Sequence, residues 1–170
     1  MPLIHVCPLA QLEAVVATTG ASHLVSLLSA NTPVTPPRMI PADRRLSISV
    51  SDIAEPIKGH ILPQEEHVAP IIAFVRAWPR ERPLVIHCWA GISRSTAAAF
   101  VSVCALAPHR EEIEIAQALR AASPSATPNP RIVAVADALL GRSGRMIGAV
   151  QRIGRGAEAS CGEPFQLKID

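Results

Sequence analysis

The segment from residue 85 to 96, Val-Ile-His-Cys-Trp-Ala-Gly-Ile-Ser-Arg-Ser-Thr, constrains the fold of this chain more than any other part of its sequence. It places Cys88 six residues before Arg94, with a glycine between them. Residues 83–86 are apolar and rich in branched side chains, which predicts a buried strand of a parallel sheet. Residues 95–106 contain no charge, Gly or Pro, which predicts a buried helix. The stretch from Cys88 to Arg94 is therefore expected to be a strand-to-helix turn.

A turn of this kind is suited to binding a phosphate group. Its backbone N–H groups can converge on an anion, and the positive end of the helix dipole points to the same place. Arg94 supplies a planar, permanently charged guanidinium that can hold two phosphate oxygens at once. The same positive field favours the thiolate of Cys88, so that a nucleophile is available at neutral pH. Attack of this thiolate on phosphorus gives a phosphocysteine intermediate, which water then hydrolyses.

Two side chains next to this pair are assigned supporting roles. Ser95 directly follows the arginine, where its hydroxyl can donate a hydrogen bond to the sulfur when the thiolate leaves again. His87 directly precedes the cysteine and is expected to order the loop by hydrogen bonding rather than to act as a base. The candidate chemistry therefore rests on a single short segment of the chain.

The segment resembles the signature loop of the cysteine-dependent protein tyrosine phosphatases, which reads His-Cys, five residues, then Arg followed by Ser or Thr. The match includes the inner Ala90-Gly91. The resemblance is to small bacterial dual-specificity-like members, and it implies Cys88 as the nucleophile, Arg94 as the phosphate-binding arginine and Ser95 as the hydroxyl after it. It also implies a phosphate-binding loop made of Cys88, Trp89, Ala90, Gly91, Ile92, Ser93 and Arg94.

A phosphatase also needs a proton donor for the leaving oxygen, and the sequence has few candidates. Its aspartates stand at positions 43, 52, 137 and 170. Asp52 follows an alternating strand pattern at 46–50 and lies 36 residues before Cys88. In dual-specificity-like phosphatases the acid is an aspartate on a mobile loop at about this distance, so the resemblance implies that Asp52 is the acid. Asp43 and Glu55 are the substitutes, and the competing interpretation is that Asp52 only caps a turn.

Alternating strand and helix patterns predict an α/β fold with a central, mostly parallel sheet of four to five strands flanked by helices, as in the phosphatases. The predicted strands are 3–7, 23–28, 45–50 and 83–87, and the helices among them are 8–18, 64–78 and 94–107. Further helical patterns at 109–121, 129–140 and 143–153 predict a C-terminal helical layer. We expect a phosphatase catalytic domain at 1–153 and an extended C-terminal tail at 154–170.

Composition and charge argue against several other classes of protein. A chain of 170 residues that is 49% apolar can bury a sizeable core, and a net charge of +2 without basic runs does not indicate a nucleic-acid partner. The longest charge-free stretch, 14–37, is broken by Gly, His, Asn and Pro, which argues against a membrane span. The beginning of the chain lacks the basic residues of a secretory signal. We therefore expect a cytoplasmic protein.

The remaining metal-ligating and redox-active side chains do not indicate a cofactor. The six histidines are scattered, and the four cysteines show no paired metal-ligand spacing and no dense disulfide pattern. We expect neither a metal nor another cofactor. Cys7 is either a small core residue or a partner of Cys88 in a protective disulfide formed on oxidation.

The substrate is less well defined than the chemistry. Loops that accept inositol phosphates in this superfamily often carry lysines, and none lies between Cys88 and Arg94, which disfavours a phosphoinositide. The chain also has no tyrosine to stack on a substrate phenol, although Trp89 can supply an aromatic wall. A phosphorylated protein and a small phosphomonoester both remain open as substrates, and so does the oligomeric state.

Two alternatives are kept beside this interpretation. The first is a catalytically inactive phosphate-binding module that recognises phosphorylated partners. The second concerns Asn129 and Arg131, which stand at the start of a predicted helix. These two side chains either reach the substrate pocket or only cap the helix and meet solvent.

Overall fold

A computed structural model describes residues 3–170 of the protein and contains one sheet of five strands. The strands are β1 (Leu3–Pro8), β2 (His23–Leu28), β3 (Arg45–Ser49), β4 (Leu84–Cys88) and β5 (Phe165–Lys168). Their order across the sheet is β3-β2-β4-β1-β5, in which β5 is antiparallel to β1 and all other neighbours are parallel. The predicted α/β fold with a mostly parallel central sheet is confirmed.

The helices lie on both faces of this sheet. They are α1 (Leu12–Thr19), α2 (Glu65–Ala77), α3 (Arg94–Leu106), α4 (Glu112–Ala122), α5 (Pro130–Leu139) and α6 (Arg145–Ile153). The sheet separates two hydrophobic clusters, one on each face. Cys7, Leu24 and Val85 pack with α1 on one face, and the strand residues that point to the other face pack with α2 to α6. The predicted helix 8–18 begins with a 3-10 turn at Leu9–Gln11. None of the helices among residues 3–170 is long and apolar enough to cross a bilayer.

The central position of β4 and α3 explains their apolar sequences. All five residues of β4 are buried, because the strand lies between β2 and β1 and is covered on both faces. Every residue of α3 from Arg94 to Ala105 is buried as well, so the helix has no polar face turned to solvent. The core therefore holds the end of β4 and the start of α3 in place, with only residues 89–93 between them.

The end of the chain differs from its prediction as an extended tail at 154–170. Phe165–Lys168 form β5, which pairs with β1, and Leu167 and Ile169 are buried in the larger core cluster. Arg110 Nη1 also donates a hydrogen bond to the carbonyl oxygen of Ile169 at 2.8 Å. The sequence does alternate over 165–169, but so short a pattern after a glycine-rich stretch does not stand out. The last residues thus complete the edge of the sheet.

Candidate active site

Cys88 and Ser95 meet at the turn between β4 and α3. Cys88 is the last residue of β4 and is 2% exposed. Its Sγ lies 3.1 Å from the Oγ of Ser95 and accepts a hydrogen bond from the backbone N–H of Gly91 at 3.3 Å. The turn therefore folds around the sulfur, with donors that can stabilise negative charge on it.

The tight turn requires a glycine at position 91. Gly91 has a φ of +70°, a conformation that side chains with a Cβ rarely adopt. A Cβ at this position would lie 2.8 Å from the backbone nitrogen of Pro8 and 2.9 Å from the carbonyl carbon of Cys7. Residues 88–94, the candidate catalytic loop and below called the catalytic loop, thus pack directly on the end of β1, a contact that the sequence does not show.

His87 is fully buried beside the cysteine and links β4 to β2. Its Nδ1 is 3.1 Å from the carbonyl oxygen of Cys88, and its Nε2 is 2.7 Å from the Oγ of Ser26. Because a carbonyl can only accept, Nδ1 carries the proton and Nε2 accepts from the Ser26 hydroxyl. Burial, helped by the positive charge of Arg94, lowers the pKa of His87, although the bond to Cys88 opposes this. A neutral His87 thus fixes the backbone next to the sulfur.

Arg94 is held by one end of its guanidinium and leaves another nitrogen free. The residue is 7% exposed, and its Nη1 donates to the Oγ of Ser29 at 3.1 Å and to the carbonyl oxygen of Val50 at 2.9 Å. Its Nε is buried and has no hydrogen-bond partner among the described residues. A buried N–H without a partner is costly, so this nitrogen is suited to an anion in the loop. The sequence gives no sign of the anchoring residues Ser29 and Val50.

Asp52 lies against the catalytic loop. Its Oδ1 accepts hydrogen bonds from the hydroxyl of Ser93 at 2.6 Å and from the side-chain amide of Asn129 at 2.9 Å. Asp52 lies on a loop whose two ends are hydrogen-bonded to each other: the N–H of Ser51 donates to the carbonyl oxygen of Ile61 at 2.9 Å. Asp52 itself is exposed, so its carboxyl group is both held by the loop and open to a substrate.

Neither of the substitute acids, Asp43 and Glu55, hydrogen-bonds to the catalytic loop. Asp43 lies in a 3-10 turn (Ala42–Arg44) before β3, at the end of the parallel strands opposite to the catalytic loop. Glu55 is exposed on the same segment as Asp52. Asp137 accepts N–H bonds from Gly144 and Met146 at the start of α6. Among residues 3–170, Asp52 is the only acidic side chain that hydrogen-bonds to the catalytic loop.

Asn129 caps a helix and also contacts Asp52. It is 2% exposed, and its Oδ1 accepts the N–H groups of Arg131 and Ile132, each at 3.0 Å, at the start of α5. Its Nδ2 donates to Asp52 and, at 3.2 Å, to the carbonyl oxygen of Ile53. The Asn-Pro pair predicts the cap, but nothing in the sequence indicates the contact with Asp52. Arg131 instead donates from Nε to the carbonyl oxygen of Pro63.

Cys7 is a buried core residue. It is fully buried in the cluster beneath α1, and its register neighbour in β4 is His87, whereas Cys88 belongs to the cluster on the other face. Burial, with a contribution from Cys88, raises the pKa of Cys7 to about 12. The structure describes all four cysteines as free thiols. Residues 3–170 also contain no group of three or more His, Cys, Asp or Glu side chains arranged to hold a metal ion.

A groove of about 480 Å³ borders Asp52 and Ser93. Its lining is largely apolar and includes Ile92, Pro128, Pro130 and Val150, with Arg155 and Glu158 as its remaining charged residues. Residues 154–159 form one wall of the groove. The sequence predicts only an extended tail here, because residues 154–159 have no helical or strand periodicity.

Backbone hydrogen bonds hold this C-terminal wall against the catalytic loop and against the segment that follows α4. Ala157 donates to the carbonyl oxygen of Pro124 at 2.9 Å, and Gly162 donates to that of Ala90, in the catalytic loop, at 2.7 Å. Arg120 adds a side-chain bond to the carbonyl oxygen of Gly154 at 2.7 Å. Hydrogen bonds to the rest of the fold therefore hold this wall of the groove in place.

Comparisons with known proteins agree with this geometry. Residues 58–126, which include Cys88 and Arg94 but not Asp52, match the family model of the protein-tyrosine phosphatases. The crystal structure of DUSP15 is similar with a TM-score of 0.66 and 21% identity, over 94% of this chain and 96% of that chain. PTP-2 phosphatase of Cydia pomonella gives a TM-score of 0.62 and 17% identity over 79% and 84% of the two chains. Human DUSP28 gives a TM-score of 0.61 and 19% identity, over 89% of this chain and 95% of that chain. No curated protein matches the sequence.

The signature loop, the family match over residues 58–126 and the fold agree, and in all three the chain is similar to the cysteine-dependent protein tyrosine phosphatases. Its fold is that of the dual-specificity-like phosphatases, because the similarity to their structures extends over nearly the whole of both chains. The family resemblance of the sequence is thereby confirmed.

Proposed function

We propose that the protein hydrolyses phosphomonoesters, as a tyrosine or dual-specificity type of phosphatase, through a phosphocysteine intermediate. The observation that carries the proposal is the hydrogen bond between Asp52 and Ser93, which brings an acid to the loop that surrounds the Cys88 sulfur. A module that only binds phosphate needs no acid beside a nucleophile. The free Nε of Arg94 supplies the third requirement, a donor for the phosphoryl oxygens.

In the first step the Cys88 thiolate attacks phosphorus, and an S–P bond forms while the P–O bond to the leaving group breaks. The electron pair of that bond stays on the leaving oxygen, which takes the proton of the Asp52 carboxyl group. The loop N–H groups and Arg94 hold the phosphoryl oxygens during the transfer. The products of this step are a free alcohol or phenol, phosphocysteine and an Asp52 carboxylate.

In the second step water attacks the phosphocysteine. The Asp52 carboxylate accepts a proton from this water, the new O–P bond forms and the S–P bond breaks. The electron pair returns to the Cys88 sulfur, which the Ser95 hydroxyl, 3.1 Å away, stabilises by a hydrogen bond. Inorganic phosphate is released, and both side chains regain their starting protonation states.

The proposed substrates carry a single phosphate on an organic group that is partly apolar. The groove borders Asp52, the proposed proton donor to the leaving oxygen, and is lined mainly by apolar residues. Phosphorylated protein side chains and small phosphomonoesters both have this chemistry. A reducing compartment such as the cytoplasm suits the reaction, because Cys88 must remain a thiol.

The test is hydrolysis of para-nitrophenyl phosphate between about pH 5 and 8, with and without a chelator, by the wild type and by Cys88→Ser. We expect chelator-resistant turnover by the wild type and none by the variant, which should still bind inorganic phosphate. Turnover that survives the substitution would exclude the thiolate mechanism. Phosphate binding without turnover by the wild type would instead support the phosphate-binding module.

A further inference from the structure

We propose that a cavity on the α1 face of the sheet is a second binding site, for a small organic carboxylate with an apolar body. The cavity has a volume of about 270 Å³. Its walls come from the start of α1, from β2 and β3, and from the segment between those two strands. It shares no residue with the catalytic loop or with the groove beside Asp52. Binding there can therefore be tested without an assay of turnover.

Arg45 is the one charged residue that lines this cavity. Its Nε is buried and has no hydrogen-bond partner among residues 3–170. The two ion pairs in that part of the chain both involve Glu112, so no carboxylate of the protein neutralises Arg45 there. A buried N–H without a partner costs free energy, and a negatively charged acceptor removes that cost. The guanidinium thus favours an anionic ligand.

The apolar part of the lining limits the size and the charge of the ligand. Leu12 and Leu24 contribute buried side chains, whereas Val34 and Pro36 contribute exposed ones, and Val34 is 41% exposed. A volume of about 270 Å³ lies just below the range of about 300–1,000 Å³ that holds drug-sized ligands. Because a single guanidinium balances a single negative charge, these features match a monocarboxylate with an aromatic ring or a short chain.

Ser26 connects the cavity to the catalytic loop. Its hydroxyl donates to Nε2 of His87 at 2.7 Å, and Nδ1 of His87 donates to the carbonyl oxygen of Cys88. Since the hydroxyl hydrogen is used, Ser26 can only accept a hydrogen bond from a ligand, and a carboxylate has none to give. The carboxylate therefore belongs at Arg45. The ligand reaches the support of the catalytic loop but not the place of the phosphate.

The experiment is a titration of the isotope-labelled protein with sodium benzoate at neutral pH and constant ionic strength, followed by NMR chemical shifts. We expect saturable shifts of amides that line the cavity, such as those of Leu24 and Ser47, with a Kd of about 1 mM for so small a ligand. Benzamide has the same shape without the charge and should bind at least about tenfold more weakly. Equal binding of the two compounds, or no saturable shift at the cavity, would overturn the inference.

Arg45→Met removes the guanidinium and keeps a long, unbranched side chain. We expect it to weaken benzoate binding at least about tenfold, to the level of benzamide. The variant should unfold at the wild-type temperature or above, because it loses a buried N–H that has no partner. Arg44→Met is the matched control, since Arg44 is exposed and does not line the cavity. An equal loss of binding in both variants would contradict the site.

Val34→Asp is a second variant, on the exposed loop, that leaves Arg45 in place. The new carboxylate should weaken the binding of benzoate by repulsion and leave that of benzamide nearly unchanged. Wild-type binding of benzoate by this variant would mean that the ligand does not lie between Val34 and Arg45.

A competition with inorganic phosphate separates this site from the catalytic loop, which also attracts anions. Phosphate should not reverse the shifts of Leu24 and Ser47, and benzoate should leave KM for para-nitrophenyl phosphate unchanged. Reversal by phosphate, or competitive inhibition with the constant measured in the titration, would place benzoate at Arg94 and overturn the inference. The titrations give this answer even if the proposed reaction itself is not observed.

Discussion

At the scale of single residues, Arg94 and Asp52 each use one polar atom for anchoring and have another without a hydrogen-bond partner among the described residues. Arg94 is fixed through Nη1 while its Nε is free, and Asp52 is fixed through Oδ1. His87 uses both ring nitrogens and has none left, which agrees with a role in ordering the loop and not in proton transfer. Substitutions at these residues should therefore change different properties of the protein, and not only reduce its activity by different amounts.

Replacing Asp52 by Asn should remove the proton donor and keep the shape of the side chain. We expect kcat for phenyl phosphate to fall about 10²-fold or more, and the decline of activity on the basic side of the pH profile to flatten. The pH dependence of kcat measures both effects. Asp43→Asn is the control, since Asp43 lies at the far end of the strands; the same behaviour in that variant would show that the wrong acid has been assigned.

Arg94→Lys keeps the positive charge and loses the planar fork. We expect weaker binding of inorganic phosphate together with a fall in kcat, because lysine cannot replace the free Nε and the anchored Nη1 at once. Isothermal titration with phosphate and steady-state kinetics measure the two effects. Wild-type values for both would mean that charge alone suffices at this position.

At the scale of structural elements, the C-terminal wall is the least expected part of the site. Residues 154–159 line the groove beside Asp52, and β5 fixes the far end of the wall to the sheet. Sequence patterns do not reveal such a wall, because an irregular segment held by backbone hydrogen bonds has no periodicity. The wall should matter for large substrates and not for the chemical step.

Filling the groove with Ala157→Phe should raise KM for naphthyl phosphate about tenfold, since lost apolar contacts cost about 1–3 kcal/mol, and should leave kcat near the wild-type value. Ala138→Phe is the matched control. Both alanines are exposed and line a groove, but the groove of Ala138 lies between α2 and α5. An unchanged KM for Ala157→Phe would mean that the organic group of the substrate lies elsewhere.

At the scale of the whole molecule, a buried ion pair ties the C-terminal helices together. Glu112, at the start of α4, accepts from Arg142 Nη1 at 2.6 Å and from Arg145 Nε at 3.3 Å, while Arg142 also donates to the carbonyl oxygen of Cys104 at the end of α3. Burial tends to raise the pKa of Glu112, but hydrogen bonds from its own N–H and from Arg142 and Arg145 outweigh burial and hold the pKa below its usual value of 4.5.

This pair predicts how stability depends on pH. Because the folded state lowers the pKa of Glu112, its contribution is fully present above pH 4.5 and is lost as the pH falls through the folded value. We expect Glu112→Gln to lower the free energy of unfolding by about 1–3 kcal/mol at neutral pH, and by less in acid. Urea denaturation at several pH values measures both. Glu114→Gln, at an exposed acid of the same helix, should have little effect at any pH; an equal effect of both variants would contradict the role of the buried pair.

The sequence predicted most of what depends on neighbours along the chain. The bounds of β2, β4 and α3 differ from their predictions by at most one residue, because buried strands and helices have predominantly apolar patterns. The edge strand β5 was not predicted, since its pattern is short and its only partner is β1, at the other end of the chain. The roles of Cys88, Arg94, Asp52 and Ser95 remain predictions until activity is measured.

By itself, the sequence determined the turn that carries Cys88 and Arg94, because the cysteine, the glycine and the arginine lie within seven consecutive residues. Only the tertiary structure decided what surrounds that turn. Asp52, Asn129 and the wall at 154–159 come from distant parts of the chain and meet the loop through hydrogen bonds and packing. Local propensity carries no information on such contacts, since they form only when the sheet order and the helix packing have brought the segments together.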